Sequence, residues 1–200
     1  YFKRPNIKII ENPFEFNRKS KKNIYKKFIY FGRINQIKNI DLIIKAFIAS
    51  NPPKEWNLEL YGIQDDEKYL NYLKNVIKNS KFSNQIFIKD PIFGEKKYKI
   101  INSAWCNVLI SKSEILSLSV LESLSVGTPS IVNKEIYFPE WIKKTIYLSE
   151  IKILNLKKSF KSIMSQKISD RNMMSNKIIK NFDKNYSIKN IKNKYLNYVK

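Results

Sequence analysis

Residues 27–50 read Lys27-Phe28-Ile29-Tyr30-Phe31-Gly32-Arg33-Ile34-Asn35-Gln36-Ile37-Lys38-Asn39-Ile40-Asp41-Leu42-Ile43-Ile44-Lys45-Ala46-Phe47-Ile48-Ala49-Ser50. The apolar and aromatic run Phe28–Phe31 stops at Gly32, and after a polar stretch the apolar positions Ile40, Ile43, Ile44 and Phe47 recur at helical spacing. This is a buried strand, a turn and a helix. The same alternation continues outward along the chain. Strands are expected at Leu58–Tyr61, Ile86–Ile88, Val108–Ile110, Ser130–Val132 and Ile146–Leu148. Helices are expected at about 66–78, 95–104 and 118–126.

Strand and helix in repeated alternation predict an α/β fold, a doubly wound Rossmann-like parallel sheet with helices on both faces. Residues 1–27, with one apolar run at Ile7–Ile10, then Asn12-Pro13 and a basic stretch from Arg18 to Lys27, read as a hinge or linker and opening strand. Residues 28–150 form the core, and residues 151–200 read as two or three helices packed at its edge. The chain opens on Tyr1 rather than methionine, which reads as one piece of a longer protein.

Composition narrows the chemistry. With no histidine and the single cysteine Cys106, the chain has no imidazole acid or base and no internal disulfide. No stretch approaches the roughly 18 apolar residues of a membrane span, so the expected location is cytoplasmic, including the cytoplasmic face of a membrane. The formal net charge of +21 suggests a polyanion partner. Against this, all but four of the 38 basic residues are Lys, and Lys, Ile and Asn fill nearly half the chain, a bias that needs no ligand. No nucleic-acid-binding motif is visible, so nucleic acid is not the expected partner. Residues 151–200 hold 13 basic residues against Asp170 and Asp183. A solvated helical surface is the first reading there, and contact with an anionic membrane the second.

Only four glycines occur in 200 residues. Gly32 and Gly62 each end a strand, Gly127 follows a helix as its expected C-terminal cap, and Gly94 precedes a helix. In open α/β sheets the ligand crevice lies beyond the carboxyl ends of the strands, which places it at Gly32 and Gly62. Arg33, one of four arginines, and Lys38, just before a helix, offer a guanidinium and an ammonium to a phosphate or diphosphate. Lys38 alone reads equally as a surface lysine. A second constellation runs Ser111-Lys112-Ser113-Glu114-Ile115-Leu116-Ser117-Leu118-Ser119-Val120-Leu121-Glu122 and on to Gly127-Thr128-Pro129. Ser117 is the expected N-cap, and Glu122 the one charge on a short apolar and hydroxyl-bearing helix. Such a carboxylate needs a partner: either sugar hydroxyls, or a neighbouring lysine or backbone group.

Together these stretches resemble the donor domain of family 4 (group 1) glycosyltransferases: Phe31-Gly32-Arg33 through Lys38-Asn39, Leu58 to Gly62, Ile86 to Gly94 with Glu95-Lys96, and above all Ser-x-Ser-Glu-x7-Glu-Ser-Leu-Ser-Val-Gly-Thr-Pro. The similarity covers about residues 5–150. It implies a GT-B enzyme that transfers a sugar, with retention, from a nucleotide-diphosphate sugar to a glycan or lipid-linked acceptor, without metal or other cofactor. It implies that Arg33 and Lys38 grip the diphosphate and stabilise the leaving nucleotide, that Glu114 stands near the donor sugar, and that Glu122 binds the ribose. Gly32 and Ser117 would line the donor site, and the backbone N–H groups of Leu118 and Ser119 would meet the distal phosphate. Base recognition is expected from backbone around Ile88–Ile92.

The sequence departs from the family pattern in several places. Ile115-Leu116-Ser117 replaces a glycine-containing run, with Ile115 set to obstruct the donor sugar. Asp90 and Asn39 replace common glycines, and Ile110 a common proline. Only the second of the two GT-B domains is expected here, so the partners are the nucleotide sugar and a missing N-terminal acceptor domain, with the helix at 186–200 crossing back onto that domain. The fragment alone is expected to transfer nothing. Two other classes remain: a basic nucleic-acid or anionic-membrane binding module, and a non-catalytic glycosyltransferase-like partner subunit.

Overall fold

In the computed structural model, which describes residues 23–114, 117–186 and 188–199, the first strand is β1, Tyr25–Phe31. From Phe28 onward it is buried on both faces, as a central parallel strand must be. It starts earlier than the apolar run suggests, because Lys27 is carried into the sheet by an ion pair with Glu59 at 2.9 Å. The chain continues through α1 (Ile40–Ala49), β2 (Asn57–Tyr61), α2 (Glu67–Lys78), β3 (Ile86–Lys89), α3 (Gly94–Ser103) and β4 (Ala104–Leu109). Then follow α4 (Leu118–Ser125), β5 (Ser130–Asn133), α5 (Glu140–Lys143), β6 (Tyr147–Ser149), α6 (Ile153–Met164), α7 (Ile168–Tyr186) and α8 (Ile188–Val199). The expected opening strand at Ile7–Ile10, Asn12-Pro13, and Ile115-Leu116 lie outside the described residues.

All strand pairs are parallel, in the order β3-β2-β1-β4-β5-β6. This is the doubly wound α/β architecture. The order reverses between β1 and β4, so the connections on either side diverge and leave a crevice beyond the carboxyl ends of those two strands.

The C-terminal helices pack on the same domain, with α6 reaching the edge strand β6. α6 packs on α1 and β6, while α7 packs on α4 and α5, so they add to the helical layers themselves. α7 is also tied into the core. Arg171, buried, donates to the carbonyls of Trp105 (2.6 Å), Gly127 (3.1 Å) and Ala104 (3.2 Å). Gly127 has φ +79° and its N–H reaches the carbonyl of Leu124 at 3.0 Å, closing α4 as a left-handed C-terminal residue does. Among the described residues no helix is long and apolar enough to cross a membrane.

Candidate functional site

At the switch point the strand ends open into a cleft of about 700 Å³. Its lining includes Gly32, Arg33 and Lys38 from the β1–α1 connection and Glu114, Ser117, Leu118 and Ser119 from the β4–α4 connection. Seven of the eight residues singled out from sequence therefore meet in one place. The two connections are joined by backbone, since Lys112 N–H donates to the carbonyl of Ile37 at 3.0 Å. Asn133 Nδ2 donates to the carbonyl of Ser111 at 3.1 Å, which anchors the second connection to β5.

Local chemistry shapes the first connection. Gln36–Lys38 forms a single 3-10 turn, with the Asn35 side chain accepting from Lys38 N–H at 3.2 Å. Asn39 then takes φ +51°, a left-handed conformation that glycine and asparagine tolerate. That explains Asn39 at a position where glycine is common. Tyr30, a cleft residue the sequence did not single out, donates its hydroxyl to the carbonyl of Arg33 at 2.7 Å and so fixes the turn from the strand below. Burial, and after it the Glu114 charge, push the Tyr30 phenol well above the ordinary tyrosine value.

Both glutamates have lysine partners. Lys38 Nζ lies 2.5 Å from Glu114 Oε1 and Lys97 Nζ lies 2.6 Å from Glu122 Oε2. Arg33 is exposed in the cleft wall and has no ion-pair partner among the described residues. The cleft's net attraction for an anion therefore centres on Arg33, helped by the N-terminus of α4. Ser117 occupies the N-cap position without capping. Its hydroxyl is engaged with the Ser119 hydroxyl at 3.0 Å and makes no bond to the first-turn N–H groups. Those groups are left for another partner.

Glu122 is the residue the structure does not bring into the lining. It stands one layer back on α4, behind Lys97 of α3, which does line the cleft. Burial first, and the Glu122 charge second, push the neighbouring Tyr98 phenol up to about 12. Beside Lys97 the floor is aromatic. Phe31 and Tyr61 stack at 4.8 Å and 11°, and Pro91, Ile92 and Phe93 close that end of the cleft. This overlaps the stretch expected to meet a base. Cys106 is buried in β4, and burial pushes its thiol up to about 12, so it offers no thiolate. Among the described residues no group of three or more Cys, Asp or Glu converges in a way that could hold a metal ion.

Residues 11–181 match the family model described as glycosyl transferases group 1. A search of curated proteins gives no significant match. Among solved structures, a point mutant of S. aureus TarM, in complex with Fondaparinux, alpha-GlcNAc-glycerol and UDP, is 20% identical with a TM-score of 0.79, over 98% of this chain and 40% of that one. Anabaena Alr3699/HepE in complex with UDP and glucose is 11% identical with a TM-score of 0.73, over 88% of this chain and 48% of that one. The C-terminal domain of the group 1 family protein LpcC from Francisella tularensis is 22% identical with a TM-score of 0.69, over 88% of this chain and 95% of that domain. At these identities the likeness is one of fold. The chain thus spans less than half of the two longer structures and nearly all of the isolated C-terminal domain.

Proposed function

Because the chain belongs to the group 1 glycosyl transferases, we propose that its cleft binds a nucleotide-diphosphate sugar and supplies the donor half of a retaining hexosyltransferase. The observation that carries this reading is the convergence of Arg33, Lys38, Glu114 and the N-terminus of α4 on one cleft at the switch point between β1 and β4. Arg33 and Lys38 would hold the diphosphate. Lys38 is already neutralised by Glu114, so Arg33 supplies most of the unspent charge. The N–H groups of Leu118 and Ser119 would receive the distal phosphate, Glu114 would stand by the donor sugar, and Glu122 would take the ribose from behind Lys97.

In the transfer step the bond from the anomeric carbon to the diphosphate oxygen breaks, and the nucleotide leaves with the bonding pair. The acceptor hydroxyl oxygen takes its place on the same face, and its proton goes to the departing phosphate. Each positioned cationic donor that meets the developing charge is worth about 2.7–4 kcal/mol, so this chemistry needs no metal. The acceptor, a glycan or lipid-linked glycan on the cytoplasmic side, would be held by a further domain, because the chain spans only part of its longer relatives. The chain alone would bind donor and transfer nothing.

A thermal-shift panel of UDP, GDP, ADP and CMP tests the reading. Ligand at about 100 times Kd stabilises by roughly 2.7 kcal/mol, or about 5–10 °C for a chain of this size. UDP is the expected responder, since the S. aureus and Anabaena structures contain it. Arg33→Ala should remove most of the shift, and Glu122→Ala should cut it to about half or less. Equal indifference to all four nucleotides would sink the donor reading.

A further inference from the structure

Resting on that donor-site reading, a second residue near the nucleotide's sugar can be assigned a task. Glu122 is not part of the cleft lining, and Lys97 of α3, which is, pairs with it. The Lys97 ammonium is held from two directions. It lies 2.6 Å from Glu122 Oε2 and 5.4 Å from the centroid of the Phe31 ring, over its face. Both side chains are mostly shielded, with 20% of Lys97 and 12% of Glu122 exposed.

The two carboxylate oxygens of Glu122 are not equivalent. Oε2 is buried and has only the charge of Lys97 for company, while no described residue pairs with Oε1. A carboxylate so enclosed would be strongly disfavoured in this position without its counter-ion. The other lysines of this helix are differently placed: Lys99 meets Glu95 at 3.9 Å on the exposed side, and Lys96 is not part of the cleft.

We propose that Lys97 is a positioning residue that makes the site selective for ribonucleotides. By pairing with Oε2 it leaves Oε1 for one hydroxyl of a vicinal diol, and its own N–H groups would donate to the oxygen of the second hydroxyl. A ribose satisfies both members of the pair. A 2′-deoxyribose leaves one of them without a partner in a poorly hydrated corner, where a missing charge-assisted hydrogen bond is felt in full.

The test compares UDP with 2′-deoxy-UDP by calorimetric titration of the chain and of Lys97→Met, Lys97→Arg and Glu122→Gln, each first shown to melt cooperatively. The unsubstituted chain should prefer UDP by about tenfold or more. Lys97→Met should shrink that preference to within about threefold, Lys97→Arg should restore most of it, and adding Lys97→Met to Glu122→Gln should change the ratio no further. A tenfold preference that survives Lys97→Met while Glu122→Gln removes it overturns the role given to Lys97 and leaves the donor site standing. UDP binding with no preference for ribose overturns it as well. Failure of the unsubstituted chain to bind either nucleotide removes the donor-site reading and this inference with it.

Discussion

A methyl group placed on Gly62 would collide with the carbonyl oxygen of Gly32, a backbone atom with nowhere to go. The ends of β1 and β2 approach each other there, with Gly32 N–H donating to the carbonyl of Tyr61 at 3.1 Å. Gly62→Ala should therefore cost about 3 kcal/mol, read as a lower urea midpoint, and should weaken nucleotide binding because the displaced carbonyl adjoins Arg33. At Gly94 an added Cβ meets nothing within 4 Å, and only the left-handed φ of +58° opposes it, so Gly94→Ala should cost about 1 kcal/mol. Equal losses at the two positions would contradict this account. Scarcity made these glycines legible in the sequence, since a chain so poor in glycine keeps it where backbone geometry demands. Tyr30 left no such signal. In a run of apolar and aromatic residues nothing distinguishes the tyrosine whose hydroxyl fixes the Arg33 turn from a ring that merely fills the core.

At the scale of elements, the six strands and the helices α1 to α4 were legible because alternation between a short apolar run and a helical period survives any bias toward lysine, whereas the single-turn α5 (Glu140–Lys143) and the first four residues of β4, from Ala104, were not expected. The exceptions have physical causes. The start of β1 was hidden by Lys26 and Lys27, which enter the sheet through partners on the neighbouring segment, Glu55 at 3.0 Å and Glu59 at 2.9 Å. The place of α7 was hidden because its lysines scatter around the faces and its anchor is a charged residue. Arg171 serves three carbonyls at the start of β4 and beside Gly127, a geometry that suits a guanidinium and not an ammonium. Its rarity among lysines was the available clue. Arg171→Met would leave those carbonyls buried without donors and should destabilise the chain by about 3–5 kcal/mol in urea unfolding. Lys177→Met, on the exposed side of the same helix, should stay within about 0.5 kcal/mol of the parent. A mild Arg171→Met would show that α7 is held by apolar packing alone. The site was partly legible in the same way: motif spacing marked Glu122, but only the packing of α3 on α4 shows Lys97 in front of it.

For the molecule as a whole, the question is whether the charge of +21 is a binding device or a burden carried by the fold. Several lysines are paired on the surface with carboxylates, among them Lys26 and Lys143, and Lys134, which shares Glu150 with Lys152, but acidic residues number 17 against 38 basic ones. Most of the excess is therefore mutual repulsion spread over the surface. Screening acts on that repulsion and on the exposed ion pairs alike, and each exposed pair is worth only about 0.2–1 kcal/mol, so relief of repulsion should win. The melting temperature should rise by about 3–6 °C between roughly 20 and 500 mM NaCl, the equivalent of about 1–2 kcal/mol in a chain of this length. Because the effect is distributed, Arg33→Ala should leave it nearly intact while losing the response to nucleotide, which separates a global charge effect from the local attraction of the cleft. A melting temperature that is flat or falls with salt, together with retention on nucleic acid that weakens steeply with salt, would instead identify the excess charge as a polyanion-binding surface and restore the binding-module reading.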